Sequence, residues 1–186
     1  LRDNNNRKEY FSALEINVTG ELAIDFENME EIEIVDEDPE DLEVVEIPDK
    51  NLERVIKEYL YITDRAVTKG DMKRLDFLVA VEEGIKDLSG LEHALNLTFL
   101  DVSLNDISDV TPLESLQSLE VLKFFENNVS DISSLSNLKS LKELGLSGNP
   151  LDYDNPKFLS TVHKLADIGT IIHNNMYLFD VTVTEY

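Results

Sequence analysis

The chain has 186 residues, of which 39 are acidic and 16 basic, so its formal net charge is −23. This charge disfavours binding to DNA, RNA or an anionic membrane, and it would attract a basic partner. The chain has no cysteine, which excludes disulfides and thiolate metal sites. Its apolar runs are all well short of the roughly 18 residues that a membrane-spanning helix needs, so we expect no membrane insertion.

Residues 1–46 form an acidic N-terminal segment, with no lysine or arginine between Glu9 and Asp49. Apolar and polar residues alternate over 14–18 and 22–26, and again over 32–34 and 42–44. This alternation predicts two β-hairpins, which would make a small β segment at the N-terminus. The density of acidic residues is equally typical of a partly mobile linker, and that alternative stays open.

Residues 47–74 are predicted to form a helical N-terminal cap. Asp49 is a candidate N-cap residue for the first helix, and Thr68 with Asp71 makes a weak capping-box pattern for a second, shorter helix. The apolar face of the first helix consists of Leu52, Val55, Ile56, Tyr59 and Leu60. Together the two helices would cover the open end of the structure that follows.

Residues 75–151 contain four repeats of 22 residues, in which the motif L-x-x-L-x-L-x-x-N recurs. This period is the sequence signature of a leucine-rich-repeat solenoid, whose neighbouring coils share one core and one parallel sheet. The motif asparagines, Asn105, Asn127 and Asn149, are predicted to form a structural ladder in which inward amides bond buried backbone groups. Glu83 takes the equivalent position in the first repeat, which suits a terminal coil.

Residues 152–186 are predicted to form a C-terminal cap. Pro156 opens a helix that ends near Gly169 and whose inward residues are Phe158, Leu159, Val162 and Leu165. Ile171 and Ile172, and then the alternating apolar residues from 177 to 183, predict terminal strands. The predicted fold class is therefore an α/β repeat solenoid with a parallel sheet and a helical cap at each end.

The strand residues that alternate with the core leucines point away from the core, and they form the candidate partner-binding surface. They are Phe77, Val79, Phe99, Asp101, Ser103, Val121, Lys123, Phe125 and Glu143. Three phenylalanines on an exposed sheet face make an unusually apolar patch, with Phe99 and Phe125 as the best anchor candidates. The alternative is that the cap or the N-terminal hairpins cover Phe77 and Val79.

The sequence contains no pattern that indicates a catalytic, metal or cofactor site. The three histidines lack the i, i+4 spacing of a zinc helix, and the acidic run around Asp36 lacks the glycine and final glutamate of an EF-hand loop. The segment 145–149 resembles a nucleophile elbow, but it lacks the last glycine and lies in repeat register. We therefore expect no catalytic residue, no bound metal and no cofactor.

The stretches IPDKNLERVIKEYL and GIKDLSGLEHALNLTFLDVSLNDISDVTPLESLQSLEVL, with DIS recurring at Asp109 and Asp131, resemble the internalin-like leucine-rich-repeat proteins of Gram-positive bacteria. The resemblance covers about residues 47–151, and it implies a curved solenoid that binds a protein on its concave sheet, secreted or at the cell surface. Two features depart from the family. Four repeats are few, and the 35 residues after Leu151 are too short for the immunoglobulin-like domain that often follows.

These observations favour a non-enzymatic protein-interaction module, acting as a monomer at a bacterial cell surface, with a protein partner for which the charge favours a basic one. A cytoplasmic location is the alternative. The second functional hypothesis is a structural spacer that holds flanking domains, and Leu1 at the start suggests a processed or excised part of a longer product. The third is an enzyme, which would need a pocket joining His163 or His173 to acidic residues.

Overall fold

The structure is a computed structural model, and it describes residues 38–174. Its described part is built on a five-stranded parallel sheet whose strands follow one another in chain order. They are β1 (Phe77–Val79), β2 (Phe99–Asp101), β3 (Val121–Lys123), β4 (Glu143–Gly145) and β5 (Ile171–His173). Leu78 pairs with Leu100, and Leu100 with Leu122, so one repeat of sequence advances the chain by one strand.

The core consists of aliphatic columns that run from coil to coil. Leu78, Leu100, Leu122 and Leu144 are fully buried beneath the four repeat strands. On the return path, short 3-10 turns at Leu91–His93, Thr111–Leu113 and Ser133–Asn137 place Leu91, Leu113 and Leu135 in the same core. The predicted leucine-rich-repeat solenoid is thus confirmed.

The asparagines close each coil and join it to the next. The Asn127 Oδ1 accepts the Ile107 N–H at 2.9 Å, while its Nδ2 donates to the carbonyls of Val102 (2.9 Å) and Phe124 (3.2 Å). Asn105 bonds the first coil in the same way, accepting the N–H groups of Glu83 and Ile85. Each amide therefore satisfies backbone groups of two successive coils that would otherwise be buried without partners.

The N-terminal cap contains α1 (Lys50–Tyr59) and α2 (Lys69–Lys73). Asp49 caps α1 with one oxygen, which accepts the N–H of Leu52 at 3.1 Å, and its other oxygen accepts the N–H of Lys86 at 2.7 Å in the first repeat. This carboxylate therefore fastens the cap to the solenoid. Thr68 and Asp71 form a complete capping box at the start of α2.

Residues 38–46 differ from the prediction, because they pack on the cap instead of forming a hairpin strand. Pro39–Leu42 is a 3-10 turn begun by the Asp38 side chain, and Val44 makes a single antiparallel bridge with Thr68. Val45 is buried and its N–H donates to the Val67 carbonyl at 2.9 Å. The other predicted strands of the acidic segment lie outside the described residues.

The C-terminal cap is α3 (Pro156–Asp167), capped by Asn155. Leu165 is fully buried and Phe158 packs against the core, but Leu159 is exposed, contrary to the predicted inward face. After α3, strand β5 joins β4 in the same parallel register and so extends the repeat sheet. The predicted strand over 177–183 lies outside the described residues.

Candidate interaction surface

The strand side chains opposite the core form what we call the open sheet face: residues 77 and 79 of β1, 99 and 101 of β2, 121 and 123 of β3, and 143 of β4. Phe77 is 41% exposed and Val79 47% exposed, and the other members are half-buried. The cap therefore leaves Phe77 and Val79 accessible. Ser103 is 4% exposed, which removes it from the predicted contact residues.

Aromatic rings are stacked along the first column of this face. Phe77 and Phe99 lie opposite each other in the parallel register, and their ring centroids are 4.5 Å apart with the planes inclined by 14°. Tyr59, at the end of α1, stacks on Phe77 with a centroid distance of 6.4 Å. We call these three residues the aromatic row. Because the rings stack on one another, each restricts the motion of its neighbour.

Lys123 lies at the end of the aromatic row, next to Phe99, and carries a positive charge. Its Nζ lies 5.5 Å from the centroid of the Phe99 ring, within the range of a cation–π contact. Asp101 is its direct neighbour in the strand register, yet the Asp101 carboxylate turns to Ser103 and accepts the hydroxyl at 2.6 Å. Within residues 38–174, Lys123 makes no salt bridge.

Phe125 packs against a glycine of the neighbouring strand. A Cβ atom on Gly145 would lie 2.2 Å from the ring Cζ of Phe125, so the ring occupies the space above that glycine. Gly145 is in the same column as Val79, Asp101 and Lys123. The ring is therefore half-buried by its packing, and it is less available than Phe77 to a partner.

The end of the sheet near β5 carries residues that the sequence prediction did not include in the surface. His173 Nε2 lies 3.8 Å from Glu143 Oε2, and Ile171 is 47% exposed beside Glu143. Tyr59 was also missed, because its helical spacing assigned it to the buried face of α1. The apolar pair Ile171–Ile172 indicated a strand here. Because α3 lies between β4 and β5, the 22-residue period does not reveal that the two strands pair.

No cluster of three or more histidine and acidic side chains that could hold a metal occurs among the described residues. A groove runs along α1, between Lys50, Arg54, Lys57 and the segment 61–63. Neither His163 nor His173 lines it. Across residues 38–174, every helix is too short or too polar to span a membrane.

Comparison with known proteins supports the repeat assignment. A family model described as leucine-rich repeats (two copies) matches residues 117–157. An internalin (inlF) from Listeria monocytogenes has a solved structure that is 26% identical, with a TM-score of 0.59, over 68% of this chain and 42% of its own. The chain thus corresponds to less than half of that protein's length. No curated protein sequence matches it significantly.

Two further solved structures match the chain at lower structural similarity. The CBM51-2 and INT domains of ZmpB from Clostridium perfringens are 37% identical over 47% of this chain and 18% of that one, with a TM-score of 0.43. Internalin C2 from Listeria monocytogenes is 18% identical over 67% and 82%, with a TM-score of 0.31. The 22-residue register, the asparagine ladder and the match to the first internalin support a leucine-rich-repeat fold similar to that of the internalins.

Proposed function

We propose that the open sheet face binds a protein partner without catalysing a reaction, and that the aromatic row is its anchor. Leucine-rich repeats are protein-interaction modules, so the general role follows from the fold. The single observation that carries the proposal is the stack of Tyr59, Phe77 and Phe99, with Phe77 still 41% exposed. Exposed apolar patches of this kind often mark the surface at which a protein partner binds.

The side chains of the aromatic row are also restricted in their motion, which suits a binding anchor. Aromatic side chains dominate the energy of many interfaces because they bury a large area in a few contacts. Here each ring is held by its neighbours and by the strand register, at 4.5 Å between Phe77 and Phe99. Little side-chain freedom is left to lose on association, and this reduces the entropic cost of binding.

The proposal also covers the cellular location and the oligomeric state of the protein. We place it outside the cell or at a bacterial cell surface, as a monomer, and the likeness to an internalin of Listeria monocytogenes supports that location. Protease treatment of intact producing cells tests it. The protein should be degraded under conditions that spare a cytoplasmic marker, and protection equal to that of the marker would favour the cytoplasmic alternative.

The test of binding compares immobilised variants in capture from surface extracts of bacterial or host cells. Phe77→Ser combined with Phe99→Ser should weaken capture of the partner by about tenfold or more for each residue. Leu95→Ser is the matched control, because Leu95 is a 49% exposed aliphatic residue outside the open sheet face. Circular dichroism and thermal unfolding of both variants establish that the fold is retained.

The outcomes separate binding from the spacer hypothesis. A partner that the wild type and Leu95→Ser capture, but the double variant does not, supports the open sheet face as the site. Equal capture by all three proteins would exclude this face and would favour a spacer or a different surface.

A further inference from the structure

We infer that the open sheet face accepts an acidic side chain beside an apolar one, with the carboxylate against Lys123 and the apolar group against the edges of Phe77 and Phe99. This inference rests on the proposed function, since it names the chemistry of the partner at the same face. It commits to a protein segment of local acidic and apolar character, even though the chain as a whole is strongly acidic.

The first step is that, in the part of the chain that the structure describes, the ammonium of Lys123 at the end of the aromatic row has no salt-bridge partner. Lys123 is half-buried, and its ammonium lies over the Phe99 ring at 5.5 Å, with no salt bridge within residues 38–174. Lys142, which lies just before β4, has a carboxylate from Glu120 at 2.7 Å. Among the described residues, Lys123 is thus a half-buried cation beside Phe99 without a salt-bridge partner.

The second step concerns the acidic neighbours of Lys123, both of which have other partners. Asp101 accepts the Ser103 hydroxyl at 2.6 Å and the Ser103 N–H at 3.1 Å through one oxygen. Glu143 lies 3.8 Å from the imidazole of His173. Among the described residues neither carboxylate forms a salt bridge with Lys123, so a partner carboxylate would meet this ammonium directly.

The stacked rings of Phe77 and Phe99 also favour an acidic group on the partner. Phe77 and Phe99 are paired on neighbouring strands and stack across the gap between them, and from this arrangement we infer that their edges face the open side. The edge of an aromatic ring is electropositive and its face is electronegative. An approaching carboxylate is therefore favoured beside these edges as well as beside Lys123, whereas a lysine or arginine would meet two electropositive edges and an ammonium.

The net charge of −23 affects a partner mainly at longer distances than the direct contact with Lys123. Exposed charges farther apart than about 8 Å are largely screened at physiological ionic strength, so the bulk charge affects the rate of approach more than the contact itself. At the contact, the group nearest to the partner decides. Lys123, whose Nζ lies 5.5 Å from the centroid of the Phe99 ring, is close enough to contact a partner group that packs on Phe99.

The experiment is a selection of short random peptides, displayed on phage, against the immobilised full chain. Peptides from the wild type should be enriched in aspartate or glutamate next to leucine, isoleucine, phenylalanine or tryptophan. Synthetic copies should bind Lys123→Glu at least tenfold more weakly than wild type. Lys139→Glu is the matched control, because it makes the same charge change at an exposed turn before β4 and should bind as wild type does.

The outcomes distinguish the inference from the proposed function. Selected peptides rich in lysine or arginine, whose binding is lost in the Phe77→Ser and Phe99→Ser double variant, would overturn the inference and leave the open sheet face as the site. Peptides that bind the double variant as well as the wild type would overturn the proposed function. Equal weakening by Lys139→Glu, or no enrichment above background, would also count against a carboxylate contact at Lys123.

Discussion

At the scale of single residues, the asparagine ladder shows how one side chain can fix the spacing of a repeat. Asn127 is 6% exposed and bonds the N–H of Ile107 and the carbonyls of Val102 and Phe124. The asparagine amide has two N–H donors and a carbonyl acceptor in one short side chain, so it can bond several backbone groups at once. The recurrence of asparagine every 22 residues was therefore enough for the sequence to predict an inward structural role.

We expect Asn127→Ala to lower the free energy of unfolding by roughly 1 to 3 kcal/mol or more, because alanine leaves buried backbone groups of two coils unpaired. Glu83→Ala should cost less, since Glu83 has a partly exposed side chain that pairs with Arg54 and only its backbone joins the ladder. Chemical denaturation midpoints of the two variants measure the difference. Small and equal losses would show that the ladder amide adds little to stability.

Other residues of the surface could not be placed from the sequence. The alternation of the strands put Phe99 and Phe125 on the same face, but it carried no information on the direction of their rings. Gly145 leaves a gap that the Phe125 ring fills, whereas Phe99 is held between Phe77 and Lys123. Ring packing depends on neighbours 22 residues away, and so it appears only when the strands are aligned.

At the scale of elements, the cap is tied together by one buried carboxylate. Asp71, 4% exposed, is bonded by the guanidinium of Arg65 and accepts the N–H of Thr68 at 2.9 Å. The bond from Arg65, helped by Thr68 and opposed by burial, lowers the pKa of Asp71 from 3.8 to about 2. The stability that this carboxylate contributes is therefore complete above about pH 4 and is lost as the pH falls towards 2.

Asp71→Asn should therefore unfold at a lower temperature than wild type at pH 7, and the difference between the two proteins should shrink between about pH 4 and pH 2. Asp64→Asn, an exposed position in the same cap, serves as the control for loss of one negative charge. Thermal unfolding followed by circular dichroism at several pH values gives the comparison. A difference that stays constant with pH would argue against a charged Asp71 in the folded cap.

The boundary of the cap is another property of elements, and the structure shifts it relative to the sequence prediction. Alternating apolar residues over 42–44 were read as a strand, but Asp38 and Pro39 begin a 3-10 turn and only Val44 pairs, with Thr68. The Cβ of Asp41 lies 2.9 Å from where a side chain on Gly70 would begin. Segment 38–46 therefore packs closely on α2, and its alternation reflects contact with the cap.

Two truncated proteins test this boundary. Removal of residues 1–37 leaves every contact described above in place, so we expect cooperative thermal unfolding to persist. Removal of residues 1–46 also exposes the site of Val45, whose burial contributes roughly 1.5 to 3 kcal/mol, and deletes the bond from Lys69 N–H to the Glu43 carbonyl. The shorter protein should melt at a clearly lower temperature. Identical melting temperatures would restore the boundary at residue 47.

At the scale of the whole molecule, the period of the sequence predicted the fold because each coil repeats one set of contacts. Leucine columns, strands and asparagines all recur every 22 residues. An ambiguous position in one repeat can therefore be assigned from the equivalent positions of the other repeats. The ends have no such redundancy. Leu159 at the C-terminal cap and segment 38–46 at the N-terminal cap were both misplaced, because only packing against the terminal coils determines their orientation.

The net charge of the chain leads to a prediction about salt. With 39 acidic and 16 basic residues, like-charge repulsion favours the unfolded chain, in which the charges move apart. Salt also weakens ion pairs such as Lys69 with Glu43, at 2.7 Å, but exposed pairs of this kind contribute only about 0 to 1 kcal/mol each. Relief of the general repulsion should therefore be the larger effect.

We accordingly expect the melting temperature to rise when sodium chloride is raised from low concentration to about 0.15 M, where the Debye length falls to about 8 Å. A matched measurement in sodium sulfate at equal ionic strength separates screening from salting-out, because sulfate also strengthens apolar burial. Screening requires that both salts raise the melting temperature at low ionic strength. A fall in sodium chloride would mean that the ion pairs of the cap outweigh the repulsion between the acidic residues.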